Sequence, residues 1–117
     1  MPKDDRVYIQ HMLETAQKIS AKVAPTDRAA YDADENLRLA LVHLVQRIGE
    51  AARRVSPATQ AGYPDIPWRE SIGMLHKIVH DYLNVDEDVV WAVVIGDIPP
   101  LAATLARLLP VDEEDST

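Results

Sequence analysis

The stretch that decides the fold is DENLRLALVHLVQRIGEAARRV, residues 34–55. Its apolar side chains recur at alternating intervals of three and four residues, which places them on one face of an α-helix. These residues are Leu37, Leu41, Leu44, Ile48, Ala51 and Val55. The opposite face is polar and rich in arginine, and Ser56-Pro57 ends the segment. Because a helix with one apolar face needs partners to cover it, the stretch predicts a bundle of helices.

Three further segments have a helical pattern. We expect the first from about Asp4 to Lys22, the third from Trp68 to about Leu83, and the fourth from about Glu87 to Leu108. Pro99-Pro100 is expected to kink the fourth helix, because proline removes a backbone donor and its ring collides with the preceding turn. No strand is predicted, and residues 57–67 are interpreted as a loop. The sequence therefore predicts an all-α, up-and-down bundle of four-helix type.

Two details of packing follow from the same pattern. Gly49 lies inside the second helix, where glycine costs about 1 kcal/mol relative to alanine, so it predicts a close approach of another helix. The third helix is expected to bury one apolar face. That face consists of Trp68, Ile72, Leu75, Val79 and Leu83.

Composition restricts the class of protein. A chain of 117 residues predicts a single domain, here residues 1–110, followed by an acidic disordered tail, residues 111–117. Cysteine is absent, which excludes disulfides and thiolate metal sites, and a cytoplasmic location is expected. No apolar run approaches the roughly 20 residues that span a bilayer, so no membrane partner is predicted. The net charge of −7 falls to −3 without the four acids of the tail, which leaves room for a local basic patch.

The third helix carries the only concentration of polar residues that suggests chemistry. His76 and His80 are four residues apart and could bind a metal, or one imidazole beside Lys77 could act as an acid–base group on a phosphodiester. A solvated histidine pair is the third alternative, and residue types alone favour it. The same criteria favour a structural, half-buried role for Tyr82.

Four pieces of the sequence together indicate a family. RIGEAA at 47–52, YPDIPW at 63–68, VHDY at 79–82 and the segment 86–91 occur in this order within a region that extends from residue 8 to residue 109. The chain resembles the HepT family of toxins in the HEPN ribonuclease superfamily. Members are encoded beside a minimal nucleotidyltransferase called MntA, and the resemblance covers nearly the whole chain.

The resemblance implies a HEPN-like helical homodimer whose nuclease motif lies at the subunit cleft. The motif is an arginine, four to six intervening residues, a histidine, any residue and a tyrosine. His80 and Tyr82 match its last two positions, and Leu75 occupies the arginine position. His76 and Lys77 are candidate RNA contacts. The family implies neither a metal nor a cofactor.

The implied function is that of the RNase toxin in a type VII toxin–antitoxin system. It would cleave RNA, such as tRNA or mRNA, and would be neutralised when an MntA-like partner AMPylates Tyr82. Leu75 has neither charge nor donor, so we expect impaired cleavage, and Arg69 lies on another face of the helix. A laboratory substitution or natural weakening would each explain Leu75, and the otherwise complete motif favours the former. The alternative function is a non-catalytic dimeric partner and substrate of a nucleotidyltransferase.

Overall fold

The long central helix forms as its sequence predicts. The computed structural model describes residues 1–81 and 84–109, without the side chains of residues 80 and 81. Helix α3, Glu35–Arg54, begins where the Asp34 carboxylate accepts a hydrogen bond from the Leu37 N–H at 3.0 Å. It ends before Ser56, whose hydroxyl in turn caps the next helix. The alternating apolar pattern therefore located both ends of this helix within one residue.

Helix α1, Lys3–Val23, runs antiparallel to α3 and is fixed to it at one end by a buried carboxylate. Asp5 accepts hydrogen bonds from the hydroxyls of Ser56 and Thr59, each at 2.6 Å, and from the Ser56 N–H at 3.0 Å. These three donors lower the pKa of Asp5 below its ordinary value. The start of α1 is thereby held against the end of α3.

Two short helices were not predicted. Helix α2, Arg28–Ala33, is capped by Asp27, which accepts from the Ala30 N–H at 2.8 Å. Helix α4, Pro57–Gly62, occupies half of the segment interpreted as a loop, so that interpretation was wrong there. Proline at the first helical position suits α4, because its missing N–H has no helical partner to lose.

The third predicted helix is shorter than expected. Helix α5 extends over Trp68–Ile78 and is followed by two short antiparallel strands, β1, Val79–Asp81, and β2, Asn84–Val85. The prediction that the chain contains no strand was therefore wrong. The helix stops at Ile78 because Val79 adopts an extended backbone and the Ile78 carbonyl accepts from the Asp86 N–H at 3.0 Å.

The buried face of α5 is rotated from the predicted one. Its buried residues are Trp68, Ser71, Met74 and Ile78. The predicted members Ile72, Leu75 and Val79 are only partly buried against the core, and Leu83 lies outside the described residues. The small residue Ser71 lies on the buried face and allows α5 to approach α3 closely. At Gly49 of α3, a Cβ would lie 3.3 Å from the carbonyl oxygens of Ser71 and Ile72. The predicted close approach at Gly49 is confirmed.

The last predicted helix is interrupted, as expected, near Pro99-Pro100. Helix α6, Glu87–Ala92, continues into a π-helical segment, Val93–Asp97, and then into helix α7, Ile98–Leu108. In an unbroken α-helix the N–H groups at positions 99 and 100 would bond to the carbonyls at 95 and 96, and proline supplies neither. The wider i→i+5 turn just before the prolines accommodates this loss, with the Ile98 N–H bonding to the Val93 carbonyl.

The combined stretch Glu87–Leu108 passes the length and composition test for a membrane-spanning helix, contrary to the expectation that no segment would. One such helix is weak evidence, because core helices of soluble proteins pass the same test. Here Ile98, Leu101 and Leu105 are buried, and α7 packs against α1. The fold is an all-α bundle of α1, α3, α5 and α7 with one small hairpin. The predicted boundary at residue 110 and the acidic tail, residues 111–117, lie outside the described residues.

Candidate functional site

The candidate site lies where α5 ends and the chain reverses into the hairpin. Leu75 is in the last turn of α5, and its partly buried side chain packs against the core. His80 is in β1, two residues beyond the last helical residue, so it does not continue the helical face of His76. The side chain of His80 and all of Tyr82 lie outside the described residues. The structure therefore places Leu75 on a helix and His80 on a strand.

The two candidate RNA contacts both lie on the surface. His76 and Lys77 are exposed in the last turn of α5. The Lys77 ammonium makes an ion pair with the Asp97 carboxylate at 3.4 Å, and both side chains are about half exposed. Such a pair is weak in water and exchanges readily, so a phosphate could compete for the lysine.

The metal alternative gains no support from the described residues. Among them, no group of three or more metal-ligating side chains comes together. The i, i+4 spacing of His76 and His80 mattered only on a continuous helix, and α5 ends at Ile78 before the second histidine is reached. The helical zinc arrangement considered from the sequence is therefore not formed by this backbone.

A polar cluster that joins α2, α3 and α6 lies beside the hairpin, where Val85 lines one cavity with Arg38 and Glu87. The Tyr31 hydroxyl donates to the Glu87 carboxylate, and the Arg38 guanidinium lies 3.5 Å from the same group. Tyr31 is fully buried and packs against Trp91 in a tilted arrangement, with a distance of 5.1 Å between the ring centres. Burial, and then the bond to Glu87, raises the pKa of Tyr31, so the phenol stays protonated as a donor. Asp86 adds a cap at the start of α6 by accepting from the Val89 N–H at 3.2 Å.

Arg38 and Arg69 are the two arginines to consider beside the site, and each is engaged elsewhere or distant along the helix. Arg38 lines a cavity that includes Val85 of the hairpin, but its guanidinium is already bonded to Glu87 and to the Asp32 carbonyl. Arg69 is exposed in the first turn of α5, six residues before position 75. At 1.5 Å per residue this is about 9 Å along the helix axis.

A cavity that the sequence did not predict adjoins the site. It has a volume of about 440 Å³, lies between α5 and the π-helical segment, and includes Lys77 and Asp97. Gly73 and Gly96 also line it, and a Cβ at either position would meet nothing within 4 Å. In the sequence, only Pro99-Pro100 pointed toward this cavity. The two prolines interrupt the helix, and the wider π-helical turn before them forms one wall of the cavity.

Comparison with known proteins identifies the family. The family model described as Ribonuclease HepT-like matches residues 12–108. The chain belongs to the HepT-like ribonuclease family. This match covers every element from the middle of α1 to the end of α7, including the segment that carries Leu75 and His80.

Curated relatives agree with this family. A Thermococcus cleftensis protein named "Probable ribonuclease HepT" is 28% identical over 108 residues, covering 92% of this chain and 98% of that protein. Two proteins named "Putative RNase" are also similar. One, from Caldanaerobacter subterraneus subsp. tengcongensis, is 26% identical with 92% and 96% coverage, and one from Methanocaldococcus jannaschii is 24% identical with 85% and 91% coverage. No solved structure matches the chain.

Proposed function

We propose that this HepT-like protein is the ribonuclease toxin of a toxin–antitoxin pair, and that Leu75 impairs its cleavage activity. The observation that carries the proposal is the family match over residues 12–108, which spans the segment Leu75-x4-His80-x-Tyr82. The exposure of His76 and Lys77 beside this segment also supports it, because RNA needs an accessible surface there.

The proposed chemistry is metal-independent and rests on His80. An imidazole near neutral pKa can take the proton from an RNA 2′-hydroxyl, whose oxygen then attacks the adjacent phosphorus. The bond from phosphorus to the 5′-oxygen breaks, which leaves a 2′,3′-cyclic phosphate, and the imidazolium returns its proton to the departing 5′-oxygen. Negative charge builds up on the non-bridging oxygens, and an arginine at position 75 would stabilise it. Leucine cannot, because its side chain has no donor and is partly packed into the core.

The proposed regulation centres on Tyr82. An MntA-like nucleotidyltransferase would transfer AMP from ATP to the phenolic oxygen, releasing pyrophosphate. The adduct places an anionic phosphate two residues from His80, where it repels the RNA backbone and fills the cleft. Tyr82 thereby has a role in regulation in addition to its place in the motif.

The proposed assembly is a cytoplasmic homodimer with the two motifs facing one cleft. A bundle of this size gains stability by association, and several apolar side chains remain on its surface. Leu39 is 63% exposed and Ile95 is 48% exposed. Leu39 lines the same cavity as Val85 of the hairpin, and Ile95 is in the π-helical segment that faces α5.

Leu75 itself favours a second candidate function. Without the arginine, the chain could serve as a non-catalytic dimeric partner and substrate of the nucleotidyltransferase. This candidate shares the AMPylation of Tyr82 with the first and differs only in RNA turnover. Restoring the arginine therefore separates the two.

The deciding experiment is to express the Leu75→Arg variant in cells without the partner and to assay purified protein on RNA. We expect toxicity and cleavage to appear, because a charged transition-state contact is worth about 10²–10³ in rate. Leu75→Gln is the control for polarity, since it introduces hydrogen-bond donors without a positive charge, and it should stay inactive. Adding His80→Ala to Leu75→Arg should abolish the gain. A Leu75→Arg variant that cleaves no better than the starting chain would favour the non-catalytic function.

A further inference from the structure

A cleft whose lining includes charged side chains lies between α1 and α3, on the side of α3 that faces away from α5. Its volume is about 300 Å³. An adjoining cavity of about 90 Å³ shares His11, Thr15 and Arg47 with it and extends it to Lys18. At 100° per residue, Arg47 lies roughly 160° around α3 from Gly49, the residue that touches α5. We call this surface the α1–α3 cleft, and it is separate from the segment that carries Leu75 and His80.

Two arginines of α3 project into the cleft without an internal partner. Arg47 and Arg54 are both exposed, and neither forms an ion pair or a hydrogen bond with the described residues. The Arg54 guanidinium lies 6.0 Å from the ring centre of Tyr8 on α1, which holds it at the mouth of the cleft. Their N–H donors are therefore available to a ligand.

Two acidic residues lie on the same surface. Glu50 is ion-paired with Arg53 at 3.2 Å, whereas Glu14 accepts a hydrogen bond from the neutral Gln10 side chain at 3.5 Å and keeps its charge. Lys18 is exposed and adds a third positive charge at the far end. This is a local positive surface on a chain whose net charge is −7.

The spacing of the two arginines suits an extended anion. Arg47 and Arg54 are seven residues apart, or about 10.5 Å along the helix axis, and lie on the same face of α3. Successive phosphates of one strand can therefore contact the two side chains in turn. The planar guanidinium also binds phosphate oxygens in pairs, which an ammonium group does not.

We propose that the α1–α3 cleft binds the phosphate backbone of an RNA strand at a distance from the cleavage motif. The choice of RNA rests on the proposed ribonuclease function. The half-buried Tyr8 ring offers an apolar edge to a base or sugar beside the two arginines. The cleft thus supplies the phosphate contacts that an acidic protein needs in order to hold a polyanion.

The test is direct RNA binding by the full chain with Leu75 in place, measured by fluorescence anisotropy with a labelled single-stranded 20-mer at several salt concentrations. We expect Arg47→Ala and Arg54→Ala each to raise the Kd about fivefold, the upper range for exposed ion pairs. Each should also reduce the slope of log K against log salt by about 0.7, the value for one phosphate contact on a single strand. The matched control is Arg107→Ala, which removes the same charge from α7, where Arg107 pairs with Asp65.

Two results would overturn the proposal. One is a Kd and salt slope for the Arg47 and Arg54 variants equal to those of Arg107→Ala, with circular dichroism showing all three folded. The other is that Arg47→Ala and Arg54→Ala lose binding to a labelled polyglutamate peptide while their binding to RNA is unchanged. That result would assign the cleft to an acidic protein partner.

The binding assay is independent of cleavage. If Leu75→Arg fails to cleave RNA while the cleft variants lose RNA binding, the ribonuclease proposal fails and the proposal that the cleft binds RNA stands. If Leu75→Arg cleaves and the cleft variants bind normally, the cleft proposal alone fails.

Discussion

Replacing Gly49 by alanine tests the contact that sets the position of α5. Within α3, alanine is favoured over glycine by about 1 kcal/mol. The new Cβ would, however, lie 3.3 Å from the carbonyl oxygens of Ser71 and Ile72, so α5 must move by a few tenths of an ångström. Backbone atoms of a packed helix cannot rotate away as a side-chain tip can, and overpacking of this kind costs about 1–3 kcal/mol. We therefore expect Gly49→Ala to be neutral or destabilising by up to about 2 kcal/mol.

Gly73→Ala is the matched control. Gly73 is inside α5, and a Cβ there would meet nothing within 4 Å, so only the gain in helix propensity remains. We expect it to stabilise the protein by about 1 kcal/mol. The two alanine variants should thus differ by about 1–3 kcal/mol in the free energy of unfolding. In a chain of this size, 1 kcal/mol corresponds to a Tm difference of roughly 4 °C.

Urea denaturation at fixed protein concentration, followed by circular dichroism, measures both variants. Gly49→Val should be more damaging than Gly49→Ala, because two further methyl groups enter the same space. If Gly49→Ala were as stabilising as Gly73→Ala, α5 would be free to shift. The account of Gly49 as the residue that fixes the approach of α5 would then be wrong.

Two further predictions concern Tyr82 and Asp5. Incubation with an MntA-like partner, ATP and magnesium should add AMP to the chain despite Leu75, seen as a mass increase that maps to Tyr82; an adduct that persists in Tyr82→Phe would exclude that site. Asp5 has a lowered pKa in the folded chain, so its contribution to stability is complete above its ordinary value of 3.8 and is lost as the pH falls through the lower folded value. Asp5→Asn should therefore have a lower urea midpoint than the original chain at pH 7, and its urea midpoint should depend less on pH below pH 4. Parallel plots of urea midpoint against pH for the original chain and the variant would contradict this.

The parts of the fold that could be predicted are those governed by local periodicity. The apolar face of α3 and the proline interruption before α7 are encoded within a few residues of where they act. Gly49 was informative for the same reason, because an unfavourable residue in an otherwise strong helix needs a tertiary cause. The short helices α2 and α4 were missed since six residues are too few to show a period, although Asp27 and Ser56 at their starts are recognisable caps.

The end of α5 could not be predicted because its cause is not local. Helical periodicity allowed the segment to continue to Leu83, yet the Ile78 carbonyl bonds to the N–H of Asp86, eight residues later. Asp86 is in turn fixed by capping α6, whose Glu87 is held by Tyr31 and Arg38 from two other helices. The position of His80 therefore depends on a chain of contacts across the bundle. Residue types along α5 carry no record of those contacts, so periodicity placed His80 on a helix although it lies in β1. The prediction that His80 belongs to a nuclease motif depends on the family resemblance alone.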